Sequence, residues 1–474
     1  MRSALLLVAA LATPAMADQR YISIGADALP EASTIAGQPL EMNLVTNEGD
    51  VAVLTFDDDK LDELSEAMHE KHNRCGGFMV HDTLEDAFAE ALPEKPMQYT
   101  LDRADVVKAV LPEIEEKRIQ QTIRELSSMK NRYYQSASGA AASVWLHDRW
   151  VNHATGRKDV TIEYMDHGYE QRSVIMTIRG TTRANEVVVI GGHLDSIAPG
   201  GFSATAPGAD DDASGISTLD EVARVLLNKD FRPERTIKFM AYAAEEVGLR
   251  GSLSIVREFK KQKVNVVGAL QLDMTNYQGS NKDIWLIKDY TSAAQNNFLV
   301  SLIETYTTST WGWDQCGYAC SDHASWHRAG VPASMPFEAR FRESNKSIHT
   351  AKDTLERSNE NAEHAAKFAP RGRVRDRARQ GRACTGKRPC RRREAAARAA
   401  ATRGSGSPAS RASRSRSRSG SVRRASGRAL PAACRATHGG WNVCTCCTST
   451  GRGCLTFARS QRRSTSAPLR SCSM

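Results

Sequence analysis

Apolar and polar positions divide the chain into two zones of different periodicity. Near the N-terminus, YISIGA (21–26) alternates and VAVLTF (51–56) is a continuous apolar run, and both predict strands. LDELSEAMHEKH (61–72) places Leu61, Leu64 and Met68 on one helical face, and GGFMV (76–80) returns to strand character after a glycine turn. A helical continuation, VVKAVLPEIEEKRIQQTIRELSSM (106–129), leads into the larger zone. There, between about residues 185 and 340, short apolar runs alternate with helical segments. EVVVIGG (186–192), TIKFMAYAA (236–244), VGALQLDM (267–274) and DIWLIK (283–288) are the predicted strands. The pattern is that of an α/β fold, a mainly parallel mixed sheet sandwiched by helices, preceded by a small α/β unit.

Composition adds a boundary that periodicity does not show. Hydrophobic residues make up 41% of the 474, enough for a sizeable core. No run approaches the ~20 apolar residues of a membrane-spanning helix. The net charge of +9 hides a division: after residue 370, 25 Arg and one Lys face one Asp and one Glu, a net of +24, so the preceding residues carry −15. That last stretch also holds eight of the eleven Cys and has neither Ile nor Tyr. Such an abrupt change of usage reads as out-of-frame translation of a GC-rich gene. A genuine disordered basic tail and an Arg/Ser-rich arm for nucleic acid or another polyanion are the alternatives.

At the other end, Arg2, the apolar stretch Ala4–Ala12, Pro14 and the small residues Ala15-Met16-Ala17 form the three parts of a secretory signal peptide. The expected organisation is a signal peptide at 1–17, an acidic unit at 18–105, a catalytic domain at 106–369 and the Arg/Ser/Cys-rich tail at 370–474. The product is expected outside the cytoplasm, extracellular or periplasmic. Within the acidic unit, His69, His72 and Cys75 stand at three-residue spacing; a solvated helix face followed by a glycine turn is preferred there over a metal site.

Chemistry concentrates where the predicted strands of the larger zone end. His193 and Asp195 follow the first run, Glu245 and Glu246 terminate the second, and Asp273 closes the third. Ligands of open α/β sheets gather at the carboxyl ends of strands, so these groups converge. Acids and imidazoles cannot share a cleft unpaired, because isolated buried charge is too costly. A divalent cation resolves the repulsion. With His and carboxylate donors and no Cys, zinc is the natural ion, and manganese or cobalt also suits such a site. GADDDASG (208–215) adds three consecutive Asp between glycine turns, where a carboxylate can bridge two ions.

HLDS, GADDDASG, AAEEVGLRGS, LQLDMTNY, CGYACSDHASWH and IHTAKDTL, in that order, resemble the secreted bacterial leucyl aminopeptidases of the two-zinc metallopeptidase family, over roughly residues 110 to 368. The resemblance implies that His193, Asp211, Glu246, Asp273 and His349 bind two zinc ions, with Asp211 bridging and the Asp211–Asp212 peptide bond cis. It implies that Glu245 is the general base for a hydroxide held between the ions, that Asp195 orients the His193 imidazole, and that Tyr318 hydrogen-bonds the developing oxyanion. Met274, Ile287, Tyr318, Met335, Phe337, Phe341 and Ile348 are the implied pocket for leucine and other bulky apolar side chains. Ser344 departs from the family pattern, which often has Tyr there, and implies a wider pocket floor.

The substrates expected are peptides with a free N-terminus, the protein a monomer without specific nucleic-acid binding. Cys316 and Cys320 flank Tyr318, and an oxidising compartment favours a disulfide between them. The acidic unit resembles the family's N-terminal propeptides, which act as chaperones and inhibitors, and is expected to cover the metal cleft until cleaved near residues 95 to 110. NENAEHAAKF (359–368) is expected to begin a closing helix. The competing functions are a carboxypeptidase or glutaminyl cyclase of the same superfamily, a polyanion binder acting through the basic tail, and an inactive relative serving as a receptor, which the retained Glu245 argues against.

Overall fold

Strand alternation in residues 19–81 closes into a four-stranded antiparallel sheet in a computed structural model that describes residues 19–369 apart from 40–42, 49, 73, 75 and 89–91. The expected signal peptide and the Arg/Ser/Cys-rich tail lie outside the described residues. The strands β1 (Gln19–Gly25), β2 (Leu44–Glu48), β3 (Val51–Asp57) and β4 (Phe78–His81) are ordered β2-β3-β1-β4. Helices α1 (Leu29–Ala36) and α2 (Leu61–His72) cover the sheet, and a short α3 (Leu84–Phe88) follows. Leu61, Leu64 and Met68 do share one face, fully buried in one cluster with Ile22, Ile24, Leu54 and Phe56.

The continuation predicted as one helix over 106–129 is two: α4 (Ala104–Val110) and α5 (Glu116–Ser127), separated by a 3-10 turn at Leu111–Glu113. Pro112 has no N–H for the carbonyl four residues back and cannot sit inside a continuous helix. Helix α6 (Ala137–His153) completes the approach, its first turn capped by the Ser136 hydroxyl, which accepts from the Gly139 N–H at 2.9 Å.

The main sheet contains β5 (Val160–Met165), β6 (Ser173–Ile178), β7 (Arg183–His193), β8 (Arg235–Tyr242) and β9 (Asn265–Gln271). A two-residue strand β12 (Ala333–Ser334) joins them in the order β12-β9-β7-β8-β6-β5. The pairings from β12 to β8 are parallel, and β8-β6 and β6-β5 are antiparallel. Helices α7 (Ala213–Asn228) and α8 (Arg250–Lys261) connect the parallel strands. Both faces are buried, so strand side chains alternate between two cores. Val174, Met176, Ile178, Phe239 and Ala241 meet α5, α6 and α7, while Ile175, Met240 and Tyr242 meet Ile255 and Phe259 of α8.

Two expectations do not survive. DIWLIK is a strand, β10 (Ile284–Ile287), but it leaves the main sheet. It pairs in parallel with β11 (Trp311–Asp314) and antiparallel with β13 (Pro336–Phe337), forming a separate three-stranded sheet. Helices α9 (Ala293–Tyr306) and α10 (His323–Arg328) lie between these strands in sequence. NENAEHAAKF forms no α-helix: Asn359 and Glu360 take positive φ, and only 3-10 turns occur at Leu355–Ser358 and Ala365–Lys367. Side chains from elsewhere take up its backbone donors instead. The Glu116 carboxylate accepts from Ala362 N–H at 2.9 Å and Asn276 Oδ1 from Ala365 N–H at 3.2 Å. Among the described residues no helix is long and apolar enough to cross a membrane.

One buried imidazole makes the N-terminal unit sensitive to acid. His81, 2% exposed, shares a 2.9 Å hydrogen bond with the Ser23 hydroxyl. Burial, reinforced by the charges of Arg328 and Arg257, lowers its pKa from 6.5 to about 3. The unfolded chain therefore binds a proton that the folded chain refuses, so this contribution is complete above pH 6.5 and is lost as pH falls toward 3. Stability should drop by about 1.4 kcal/mol per pH unit from this group below pH 6. Urea titrations at pH 7.5 and 5 check it, because His81→Gln should flatten the dependence for the N-terminal unit.

Candidate active site

The parallel strands deliver their polar groups to one edge. β7 ends on His193, the turn after β8 carries Glu245 and Glu246, and the turn after β9 carries Asp273. Asp211 comes from the loop before α7, joined to Asp212 by a cis peptide bond, and His349 from a turn near the chain's last described residues. Ala244, Met274 and His349 have φ of 54°, 55° and 55°, a region that side-chain-bearing residues rarely adopt and that clusters at functional sites.

The five expected ligands meet, all buried. His193 Nε2 lies 2.9 Å from Asp211 Oδ1 and 3.6 Å from Asp273 Oδ1. His349 Nε2 lies 3.3 Å from Asp211 Oδ2 and 2.6 Å from Glu246 Oε2. The two oxygens of Asp211 thus face different histidines, each of which has a second carboxylate of its own. His193, Asp211 and Glu246 bring one ligand atom each within 4.8 Å of one another. Asp212 also lies near His193 and Asp273, but its carboxylate is committed to the backbone N–H groups of His193, Gly215 and Met274 at 3.0, 2.9 and 3.1 Å. It caps α7, and Asp211 is the carboxylate left to face the site.

Electrostatics show what the cluster lacks. Burial, joined by the charges of Asp322, Asp273 and Glu246 and opposed by His193, pushes the Glu245 carboxyl well above its ordinary range. Burial and the Asp211 charge raise Glu246 to about 7, against the opposing pull of His349. Burial opposes charge on His193, yet Asp273, Glu245, Asp195 and Asp211 hold its pKa well above 6.5. Asp211 shows the reverse, with burial overcome by the two histidines. Both Glu245 oxygens are buried without a hydrogen-bond partner. A buried carboxylate is normally satisfied, so an orphan beside two histidines and three further acids fits a site completed by divalent cations. The donor set, nitrogen and oxygen without thiolate, fits zinc.

Supporting groups surround this cluster. Asp195, expected to orient His193, lies 3.5 Å from its Nδ1 and accepts more closely from the backbone N–H groups of Glu245 and Glu246, at 3.0 and 3.1 Å. Asp353 accepts from Asp210 and Asp211 N–H and from Asn345 Nδ2, fixing the loop that presents Asp211. Arg132, fully buried, donates to the carbonyls of Leu194 and Gly208 at 2.9 Å and faces the charges of Asp212, Asp353, Asp195 and Asp211. Arg132 carries no local motif that announces such a role, and Asp353, although inside IHTAKDTL, shows its contacts only in the tertiary structure.

Beside the acids lies an apolar cluster of the residues expected to form the pocket. Met274, Ile287, Tyr318, Met335, Phe337 and Ile348 form one buried cluster, with Phe341 packed against it. A disulfide joins Cys316 to Cys320 across the turn that carries Tyr318, whose ring meets Phe341 edge-on at 5.8 Å. Ser344 turns inward and donates to the Phe341 carbonyl at 2.9 Å.

The N-terminal unit sits against this site. Ser65 Oγ donates to the Glu246 carbonyl at 2.6 Å. The His69 ring lies 4.4 Å from that of His349, so the solvated helix face expected for His69 is instead partly buried against a candidate ligand. Burial, helped by His349, lowers the His69 pKa to about 4. His72 faces Glu31 at 3.2 Å, and Cys75 lies outside the described residues. Arg74, gripped by Asp27 through contacts of 2.6 and 3.0 Å, extends its guanidinium over the Tyr318 ring at 5.3 Å. Val80 N–H donates to the Gly248 carbonyl at 3.0 Å, just beyond Glu246. Spacing along α2 does not disclose these contacts, because they depend on what α2 docks against.

Comparison with known proteins identifies the arrangement. The model of peptidase family M28 matches residues 173–370. A probable aminopeptidase of Saccharomyces cerevisiae is 36% identical over 269 residues, 54% of this chain and 71% of the yeast protein. The chain belongs to peptidase family M28. Leucine aminopeptidase 1 of Metarhizium robertsii is 38% identical to this M28 chain over 265 residues, 53% of it and 67% of the fungal protein. Among solved structures, the LapA aminopeptidase of Legionella pneumophila superposes with a TM-score of 0.65 at 30% identity, covering 74% of this chain and 95% of LapA. LapB of the same organism gives 0.64 at 29% identity, with 74% and 96% covered. The metallo-aminopeptidase family and fold implied by the six motifs are borne out.

Proposed function

We propose that this M28 chain is a secreted zinc aminopeptidase that releases N-terminal leucine and other bulky apolar residues, and that the acidic N-terminal unit is a propeptide holding it inactive. One observation carries the catalytic reading: the two oxygens of Asp211 face His193 and His349 separately, with Asp273 beside the first and Glu246 beside the second. This arrangement divides the ligands into two sets sharing one carboxylate, which supports a site for two zinc ions. Two bound zinc ions supply Lewis acidity and an acidified water.

The chain's own residues do the rest. Glu245, buried and with a raised proton affinity, takes the proton of the attacking water and returns it to the leaving amine. Asp195 keeps Glu245 and Glu246 aimed through their backbone N–H groups. Tyr318, on its disulfide-closed turn, hydrogen-bonds the developing oxyanion. The cluster of Met274, Ile287, Met335, Phe337, Phe341 and Ile348 receives the first side chain, and its lack of charge sets the preference. The Ala15-Met16-Ala17 pattern and the Cys316–Cys320 disulfide support export.

Leucine, methionine and phenylalanine p-nitroanilides should be hydrolysed much faster than aspartate or lysine ones. Prolonged treatment with a strong chelator should abolish the activity, zinc should restore it, and elemental analysis should find two zinc ions per chain. Turnover that survives complete removal of metal, or a flat side-chain profile, would contradict the proposal. Glutamine-specific cyclisation would transfer the chain to the cyclase reading.

A further inference from the structure

Beside the apolar pocket lies an open cavity of about 650 Å³ that the proposed chemistry leaves unused. Phe341 and Cys316 contribute to both, so the two spaces adjoin. Its other walls are unlike the pocket's. Lys288, Arg340 and Arg342 line it, and so does Trp313, which is 39% exposed.

None of these three cations, gathered around one cavity, forms an ion pair among the described residues. Several arginines elsewhere in the domain are matched: Arg149 with Asp220, Arg157 with Asp159, Arg224 with Glu221, Arg235 with Glu186. Around the cavity, Arg340 instead stacks on Trp285 at 4.7 Å. The two carboxylates in the lining are engaged otherwise, Asp314 by the Phe341 N–H at 2.7 Å and Glu343 by the Ser280 hydroxyl at 2.5 Å. Three unmatched cations and an exposed indole beside an apolar pocket suit a peptide that carries negative charge.

Resting on the aminopeptidase reading, we propose that this cavity takes the residues following the scissile bond and selects a carboxylate there, either an acidic side chain or the free C-terminus of a short peptide. The apolar pocket then reads the first residue and the cavity reads those behind it. In the described chain Arg74 of the N-terminal unit also lines this space. Docking of that unit and occupancy by substrate therefore compete for one region.

The test uses the full chain after activation by limited proteolysis. kcat/KM is measured for Leu-Glu-Gly-amide against Leu-Gln-Gly-amide, and for Leu-Gly-Gly against its amide, so side-chain and terminal carboxylates are read separately. A preference of about three- to fivefold for the charged member of either pair is expected at low ionic strength, the size appropriate to exposed cations. It should shrink toward one at ~1 M salt. Lys288→Met should reduce the ratio, and Arg342→Glu should abolish or invert it. Each ratio compares two substrates on the same folded fraction, so partial misfolding does not imitate the effect. Ratios near one in both pairs for the unmodified chain, or ratios unmoved by both substitutions, overturn the proposal. Failure to release leucine from any of the four peptides overturns the aminopeptidase reading and this proposal with it.

Discussion

Replacing Glu245 by Gln should lower kcat by about 10²- to 10⁴-fold, the range for removal of a positioned general base, while the protein stays folded. The amide matches the carboxylate in size but accepts no proton from water. It also removes a buried charge whose oxygens lack hydrogen-bond partners, so the thermal midpoint should hold or rise rather than fall. That pairing of outcomes separates catalysis from structure, since a merely structural Glu245 would lose both together. Steady-state kinetics on leucine p-nitroanilide with thermal denaturation of the same preparation reads both. A kcat within tenfold of the unmodified chain would remove Glu245 from the chemistry.

Detaching the N-terminal unit should raise leucine p-nitroanilide turnover by about two orders of magnitude. An inhibitor tethered in the same chain acts at a high effective concentration, on the order of millimolar, and this one places Ser65 on the Glu246 carbonyl and His69 against His349. Residues 92–103 contain no helix or strand and are mostly exposed, which makes them the expected site of proteolytic nicking. Ser65→Ala combined with His69→Ala should raise the activity of the uncut chain part of the way. Equal turnover before and after cleavage would exclude inhibition by this unit.

The sequence made the catalytic end of the sheet legible because its strands are buried on both faces. Such strands read as unbroken apolar runs, and a charged residue at the close of a run stands out: His193 after EVVVIGG, Glu245 and Glu246 after TIKFMAYAA, Asp273 inside VGALQLDM. What was not legible depended on partners distant in sequence. DIWLIK has the same apolar character as its neighbours, and nothing local says that β10 pairs with β11 rather than with the main sheet. VTIEYM and SVIMTI, which form β5 and β6, lie upstream of the runs that carry the chemistry and end on no charged group of the site. The helical pattern of NENAEHAAKF gave way to Glu116 and Asn276, whose side chains take backbone donors that a helix would have used. His69 on α2 looked solvent-facing because its neighbour, His349, lies 280 positions away.

Arg132 brings one guanidinium to a region crowded with carboxylates, several of them far from their normal proton affinities. The interior is therefore left with a charge imbalance that only bound ions or taken-up protons relieve. Ions that favour the native form add stability in proportion to the logarithm of their free concentration. Resistance to digestion should consequently go on rising with zinc supply after turnover has saturated, making durability of the folded chain a gauge of ion availability in its surroundings.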